Sequence, residues 1–145
     1  MSTDQRPVTP LSSAGVINSV GQAWNEVGPV AESLARSPHS TFKRFFPTDF
    51  PACHAPINAA IAEYLKTNHT ESVNTSQFKT GGYVFFPGKS LVGESFTMVI
   101  PLYIVGEVRV EDLHLDEKHH YHIPRPCYID VPEGSKLVAL IVDSK

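Results

Sequence analysis

The chain has 145 residues, 41% of them hydrophobic and 19% charged, with a formal net charge of −3 at pH 7. That length suits a single domain with one buried core, and that composition excludes a chain disordered throughout. The acidic balance excludes whole-domain attraction to phosphate backbones or anionic lipid, so a nucleic-acid site would need a local basic patch.

Residues 1–12 carry Pro7 and Pro10 among Ser and Thr, which predicts a flexible N-terminal arm ahead of one domain over 13–145. This start is not basic and then apolar, and no long uninterrupted apolar run follows. The expectation is therefore no membrane partner, no secretion by signal peptide, and a place in the cytoplasm or in an assembled particle.

Val16, Val20, Ala23, Trp24 and Val27 recur at helical spacing, with Ser12 or Ser13 to cap the start and Gly28-Pro29 to stop it. Pro29 suits the first position of a second short helix with Val30 and Leu34 inward, ending before Ser37-Pro38, the alternative being that the two are one kinked rod. Ser37 to Ala55 holds three prolines and Phe42-Lys43-Arg44-Phe45-Phe46, read as an irregular crossing pinned by aromatics. Ile57, Ala60, Ile61, Tyr64 and Leu65 predict a third helix with Pro56 in its first turn, followed by a polar loop over Thr67 to Gln77.

From Phe78 the residues turn β-branched and aromatic. Five or six strands are predicted: Phe78 to Phe86, Phe96 to Val105, Val108 to Leu113, a short piece around Tyr121, Cys127 to Val131, and Leu137 to Val142. Pro87-Gly88-Lys89-Ser90, Gly106 and Pro132-Glu133-Gly134-Ser135 read as the turns between them. Val108 and Val110 should face the core, with Glu107, Arg109 and Glu111 in water. Phe96 to Val105 and Leu137 to Val142 are apolar on both faces and need cover on both sides, from another sheet, the helices or another subunit. Pro101 cannot donate to a ladder and belongs at an edge, bulge or bend. The fold class is thus α+β, with N-terminal helices over 13–77 packed on an antiparallel β-sandwich or jelly-roll barrel over 78–145.

His114, Asp116, Glu117, His119, His120 and His122 form the densest chemical cluster. On an extended segment His120 and His122 project to one face, the arrangement that lets two imidazoles hold one metal ion, with Asp116, Glu117 or Asp130 available to complete the set. His114, Tyr121 and Arg125 are further ligand-binding candidates beside them. The bland reading is a solvated histidine-rich hairpin.

Tyr128-Ile129-Asp130-Val131-Pro132-Glu133-Gly134 resembles the Pro-x-Gly turn of the second cupin motif, and the resemblance covers roughly Gly82 to Val142. It implies a double-stranded β-helix with a small metal or sugar site inside the barrel. In metal-binding cupins a histidine follows that glycine by three positions, where this chain has Leu137. The family's first motif carries His-x-His well upstream of the turn, with a glutamate shortly after. Here His120 and His122 lie just before the turn and lack that glutamate.

Other motifs are weaker. Lys43 and Arg44 between phenylalanines suit base stacking with phosphate neutralisation, against the net acidity of the chain. Neither Gly81-Gly82 nor Pro87-Gly88-Lys89-Ser90 completes a phosphate loop. Cys53 and Cys127 lie too far apart in sequence for a knuckle or a CxxC pair, so free thiols are expected, and Cys53-His54 adjacency alone makes no nucleophile. Asn68-His69-Thr70 and Asn74-Thr75-Ser76 match the glycosylation sequon without a leader to give it weight.

The leading expectation is a non-catalytic protein that acts through binding or assembly, by self-association or with another protein, as a homo-oligomer or a component of a larger particle such as a virion. It rests on the two-sided apolar strands, the arm, the lean charge and the lack of a complete catalytic constellation. The alternative is a cupin-like small-molecule or metal-binding enzyme using His120 and His122, with a divalent metal as its cofactor. Nucleic-acid binding ranks below both.

Overall fold

A computed structural model describes residues 7–35, 40–68 and 78–144. Residues 1–6 of the expected arm, the stop at Ser37-Pro38, most of the expected loop before Phe78 and the second sequon lie outside the described residues. The side chains of Thr67 and Asn68, and hence the first sequon, lie outside them too.

Among the described residues, two antiparallel sheets and two helices make up the fold. The chain runs β1 (Thr9–Leu11), α1 (Ala14–Ser33), β2 (Phe42–Phe45), two 3-10 turns, α2 (His54–Asn68), β3 (Phe78–Phe85), β4 (Gly88–Val92) and β5 (Thr97–Val105). It continues through β6 (Arg109–Val110), β7 (Leu113–His114), β8 (His120–Ile123), β9 (Cys127–Val131) and β10 (Lys136–Ser144). The larger sheet has the order β1-β8-β5-β10-β3-β2 and the smaller β4-β9-β6-β7. From β3 onward the chain feeds four strands into each layer, the jelly-roll arrangement that the β-rich half implied.

β5 and β10 form the centre of the larger sheet, and their two apolar faces build two cores. Met98, Ile100, Leu102, Val138, Leu140 and Val142 face the helices, where Val16, Ala23, Val27, Ile57, Ala60 and Ile61 meet them. Val99, Leu137, Ala139 and Ile141 face the smaller sheet and its Val108, Val110, Ile129 and Val131. The shielding that these strands require is thus supplied from within the chain. Trp24 stacks on Tyr103 with ring centroids 4.4 Å apart, fixing α1 to β5. Gly82 stands opposite Phe45 in register, and a Cβ there would come within 2.1 Å of the Phe45 ring. The bare backbone leaves the space that lets Phe45 reach the helix-side core.

Several boundaries differ from the sequence reading, each for a local reason. Gly28-Pro29 does not stop α1, which runs on to Ser33 with Pro29 inside it, because Val27 and Ala31 both bury against the sheet. Phe42–Phe45 is an edge strand on β3 rather than an irregular crossing. Residues 9–11 are not a free arm: β1 pairs with β8, whose edge would otherwise leave its backbone groups unpaired. Pro10 sits on this edge strand, where a missing N–H costs little. Gly88-Lys89-Ser90 opens strand β4 instead of closing a turn, with Ser90 inward and Leu91 outward. Val108 to Leu113 is split by a tight reversal at Glu111, which adopts φ +56°. Pro101 lies at the β5–β10 bulge, as a proline in a central strand must.

Candidate functional site

The histidine-rich segment folds into β7, the reversal after it, and β8, and alternation along β8 separates its side chains. Tyr121 and Ile123 enter the core between the sheets, whereas His120 and His122 point to the opposite, helix-covered face. His122 meets the edges of Tyr64 and Phe96, with centroids 5.9 and 5.1 Å away, and lies 5.4 Å from the His120 ring. Both nitrogens of His120 and Nε2 of His122 are buried without a hydrogen-bond partner among the described residues. A neutral imidazole keeps one N–H, so this arrangement leaves at least one buried donor unmet, at a cost of about 1–3 kcal/mol. Burial lowers the pKa of both rings. For His120, Glu63 opposes that shift and His119 adds to it. For His122, burial together with the adjacent His120 pushes it down to about 4. The pair is therefore neutral at pH 7, the form that ligates metals.

The remaining sequence candidates go elsewhere. The Tyr121 hydroxyl accepts the Asp116 N–H at 2.8 Å, and burial pushes its pKa up to about 12. His114 is exposed on β7 opposite Arg109. Arg125 donates to Glu111 at 2.6 Å, a bond that holds the Glu111 carboxyl below its usual range. Asp116 lies 2.7 Å from His119, Glu117 accepts the Ile104 N–H, and Asp130 stands between Lys89 and Arg109 in the smaller sheet. No set of three or more His, Cys, Asp or Glu side chains converges on a metal position among the described residues. His114, Tyr121, Arg125 and the three carboxylates thus do not join the His120–His122 pair.

The barrel interior also fails as a cupin-type metal centre. Leu137, at the position of the cupin histidine, is fully buried among apolar neighbours. Among the described residues, the hydrophobic cluster between the sheets is aliphatic, aromatic or thiol, the polar Thr97 and Asp143 stand at the end of the same sheet face, and the two histidines face the helix side. The residues present do not fit that ion. Cys53 is buried, with its thiol pushed up to about 11 by burial and then by Glu26, which disarms it as a nucleophile. Arg44 lies over the rings of Phe46 and Tyr83, at 5.9 and 5.5 Å from their centroids, so its charge is engaged within the chain.

A different site appears where the sheets part. β3 is next to the rim of the larger sheet and β4 is an edge of the smaller, and between them lies a cleft of about 270 Å³. Phe42, Tyr83 and Phe85 form its aromatic wall, with Phe42 and Tyr83 edge to face at 5.3 Å and Tyr83 and Phe85 stacked at 5.7 Å. Ser90, Val92 and the Gly93–Ser95 turn face that wall, and Ile141 is also part of the lining. Polar groups gather at one end. Lys79, Asp143 and Thr97 stand in one row across β3, β10 and β5. The Thr97 hydroxyl, almost fully buried, donates to Asp143 Oδ1 at 2.5 Å and fixes that carboxylate, and Glu94 lies on the turn. Sequence reasoning passed over these residues. The signal available was the intrusion of Lys79 and Asp143 at inward positions of otherwise apolar strands.

No protein-family model matches the chain, and no curated protein matches it in sequence. A crystal structure of a Pseudomonas putida prolyl-4-hydroxylase is similar in fold, with a TM-score of 0.66 over 97% of this chain and 93% of that one, at 13% identity. The likeness establishes a cupin-like, jelly-roll architecture. It also corrects the functional ranking: the neighbour is an enzyme, and the apolar faces that argued for an assembly protein are covered by the chain's own helices and second sheet. The expectation of a non-catalytic assembly or virion component is overturned.

Proposed function

We propose that the chain is a small-molecule enzyme of cupin-like fold, with its substrate held in the β3–β4 cleft rather than at a histidine-bound ion inside the barrel. The observation that carries this reading is the Thr97–Asp143–Lys79 row at the end of an aromatic-walled cleft. Its size lies near the lower bound of about 300 Å³ for ligand pockets, so the substrate is a metabolite with a flat or apolar body and one polar head. The body packs on Phe42 and Tyr83. Asp143, held by Thr97, accepts a proton from the head group, and the Lys79 ammonium faces the negative charge left behind, a division of labour that general acid–base catalysis requires. The fold shared with a prolyl-4-hydroxylase supports an enzyme in this class of architecture and does not name the substrate.

The test is untargeted mass spectrometry of a pooled metabolite extract incubated with the protein. A substrate–product pair should appear with the wild type, and Asp143→Asn and Lys79→Ala should each lower its rate by roughly 100-fold or more while keeping the native circular dichroism spectrum. Identical turnover in wild type and both variants, or none in any, contradicts the reading.

A further inference from the structure

We propose that His120, His122 and Met98 form a buried site for a soft monovalent cation of the Cu(I) class, between the larger sheet and the helices. The proposal is independent of the β3–β4 cleft. His120 and His122 share the helix-side face of β8, and three of their four ring nitrogens are buried with no partner among the described residues. His120 is fully buried. Such a pair is ordinarily satisfied by a bond to backbone, side chain or water, and its bare nitrogens point to a ligand that supplies what the chain does not.

The third donor comes from the sheet register. Met98 on β5 is the direct partner of His122 on β8, fully buried and on the same helix-side face. Cross-strand partners hold their Cβ atoms about 4.5–5.5 Å apart, a span that a thioether crosses easily.

The donor chemistry selects the ion. Two neutral imidazoles and one thioether carry no net charge, no set of three or more His, Cys, Asp or Glu forms a metal-holding group among the described residues, and the one acid whose charge reaches His120, Glu63, offsets a single positive charge and not two. A divalent ion with neutral ligands in an apolar seam would keep its full charge desolvated, while a monovalent ion bears a far smaller penalty. Thioether and imidazole donors at low coordination number favour Cu(I) over Zn(II), which takes four ligands and prefers thiolate, imidazole and carboxylate. The Tyr64 and Phe96 rings beside His122 exclude water from the seam. The intermediate exposure of His122 leaves it as the side from which an ion enters.

The test is an anaerobic competition titration of the full chain against the Cu(I)–bicinchoninate complex, with Zn(II) titrated in parallel. The proposal expects one equivalent of Cu(I) bound, loss of that binding in His122→Gln, and an affinity weakened on the order of tenfold in Met98→Leu, which keeps core volume. Should a variant fail to fold, the wild type decides alone. On addition of Ag(I), a redox-silent stand-in, the ring 15N resonances of His120 and His122 should shift together and those of His114 and His119 should not. No Cu(I) uptake, uptake unchanged in His122→Gln, tighter binding of Zn(II) than Cu(I), or Ag(I) shifts confined to other histidines would each overturn it.

Discussion

Tyr121 stands between two histidines in sequence and faces the opposite side of the sheet from them in space. Alternation along residues 120–123 made it legible that His120 and His122 share a face, but not which core that face belongs to, because both faces of the larger sheet are apolar. The same ambiguity hid Met98 among its aliphatic neighbours. Tyr121 itself gives a pH test at this scale. Its hydroxyl sits near 12 in the folded chain against 10.0 for an ordinary tyrosine, chiefly because burial penalises the phenolate. A raised folded-state value means stability present in full below pH 10 and lost as pH climbs from 10 toward 12, by on the order of 2 kcal/mol. Urea unfolding across that range should show this decline, and Tyr121→Phe should flatten it. An equally steep loss in that variant would place the alkaline transition elsewhere.

At the scale of elements, the strands that periodicity and β-propensity identified correctly are those with dense apolar content, such as β3, β5, β9 and β10. β4 escaped because Gly88, Lys89 and Ser90 have turn-forming composition and the strand turns a polar residue, Ser90, inward and an apolar one, Leu91, outward, so alternation does not mark it. β1 escaped because three residues with a proline carry no strand signal of their own, and pairing with β8 alone defines them. Removing residues 1–12 should therefore reach beyond the arm. The β8 amides that face Thr9–Leu11 should lose hydrogen-exchange protection, and global stability should fall by roughly 1–3 kcal/mol for two or three lost ladder bonds. Unchanged protection of His120 and His122 would show that β1 does not hold that edge.

Across the whole molecule, the larger sheet is a shared wall between a helix-side core and a barrel core. The alternation of buried residues along β5 and β10 shows in the sequence as a demand for two covers, and one chain supplies both. The resemblance around Pro132–Gly134 indicated the cupin-like, jelly-roll architecture correctly, with Gly134 at φ +82° closing the turn and the Ser135 N–H bonded to the Pro132 carbonyl at 3.0 Å. It could not locate the site, because Lys79, Ser90, Thr97 and Asp143 come from four separate strands and only the strand order places them together. The claim on which the functional account rests is that this cleft takes a small molecule. A fragment screen read by backbone amide chemical shifts tests it most directly. Binding fragments should perturb Lys79, Tyr83, Ser90 and Asp143 together and lose their effect in Tyr83→Ala, whereas shifts that cluster on another surface, or persist in that variant, would contradict the account.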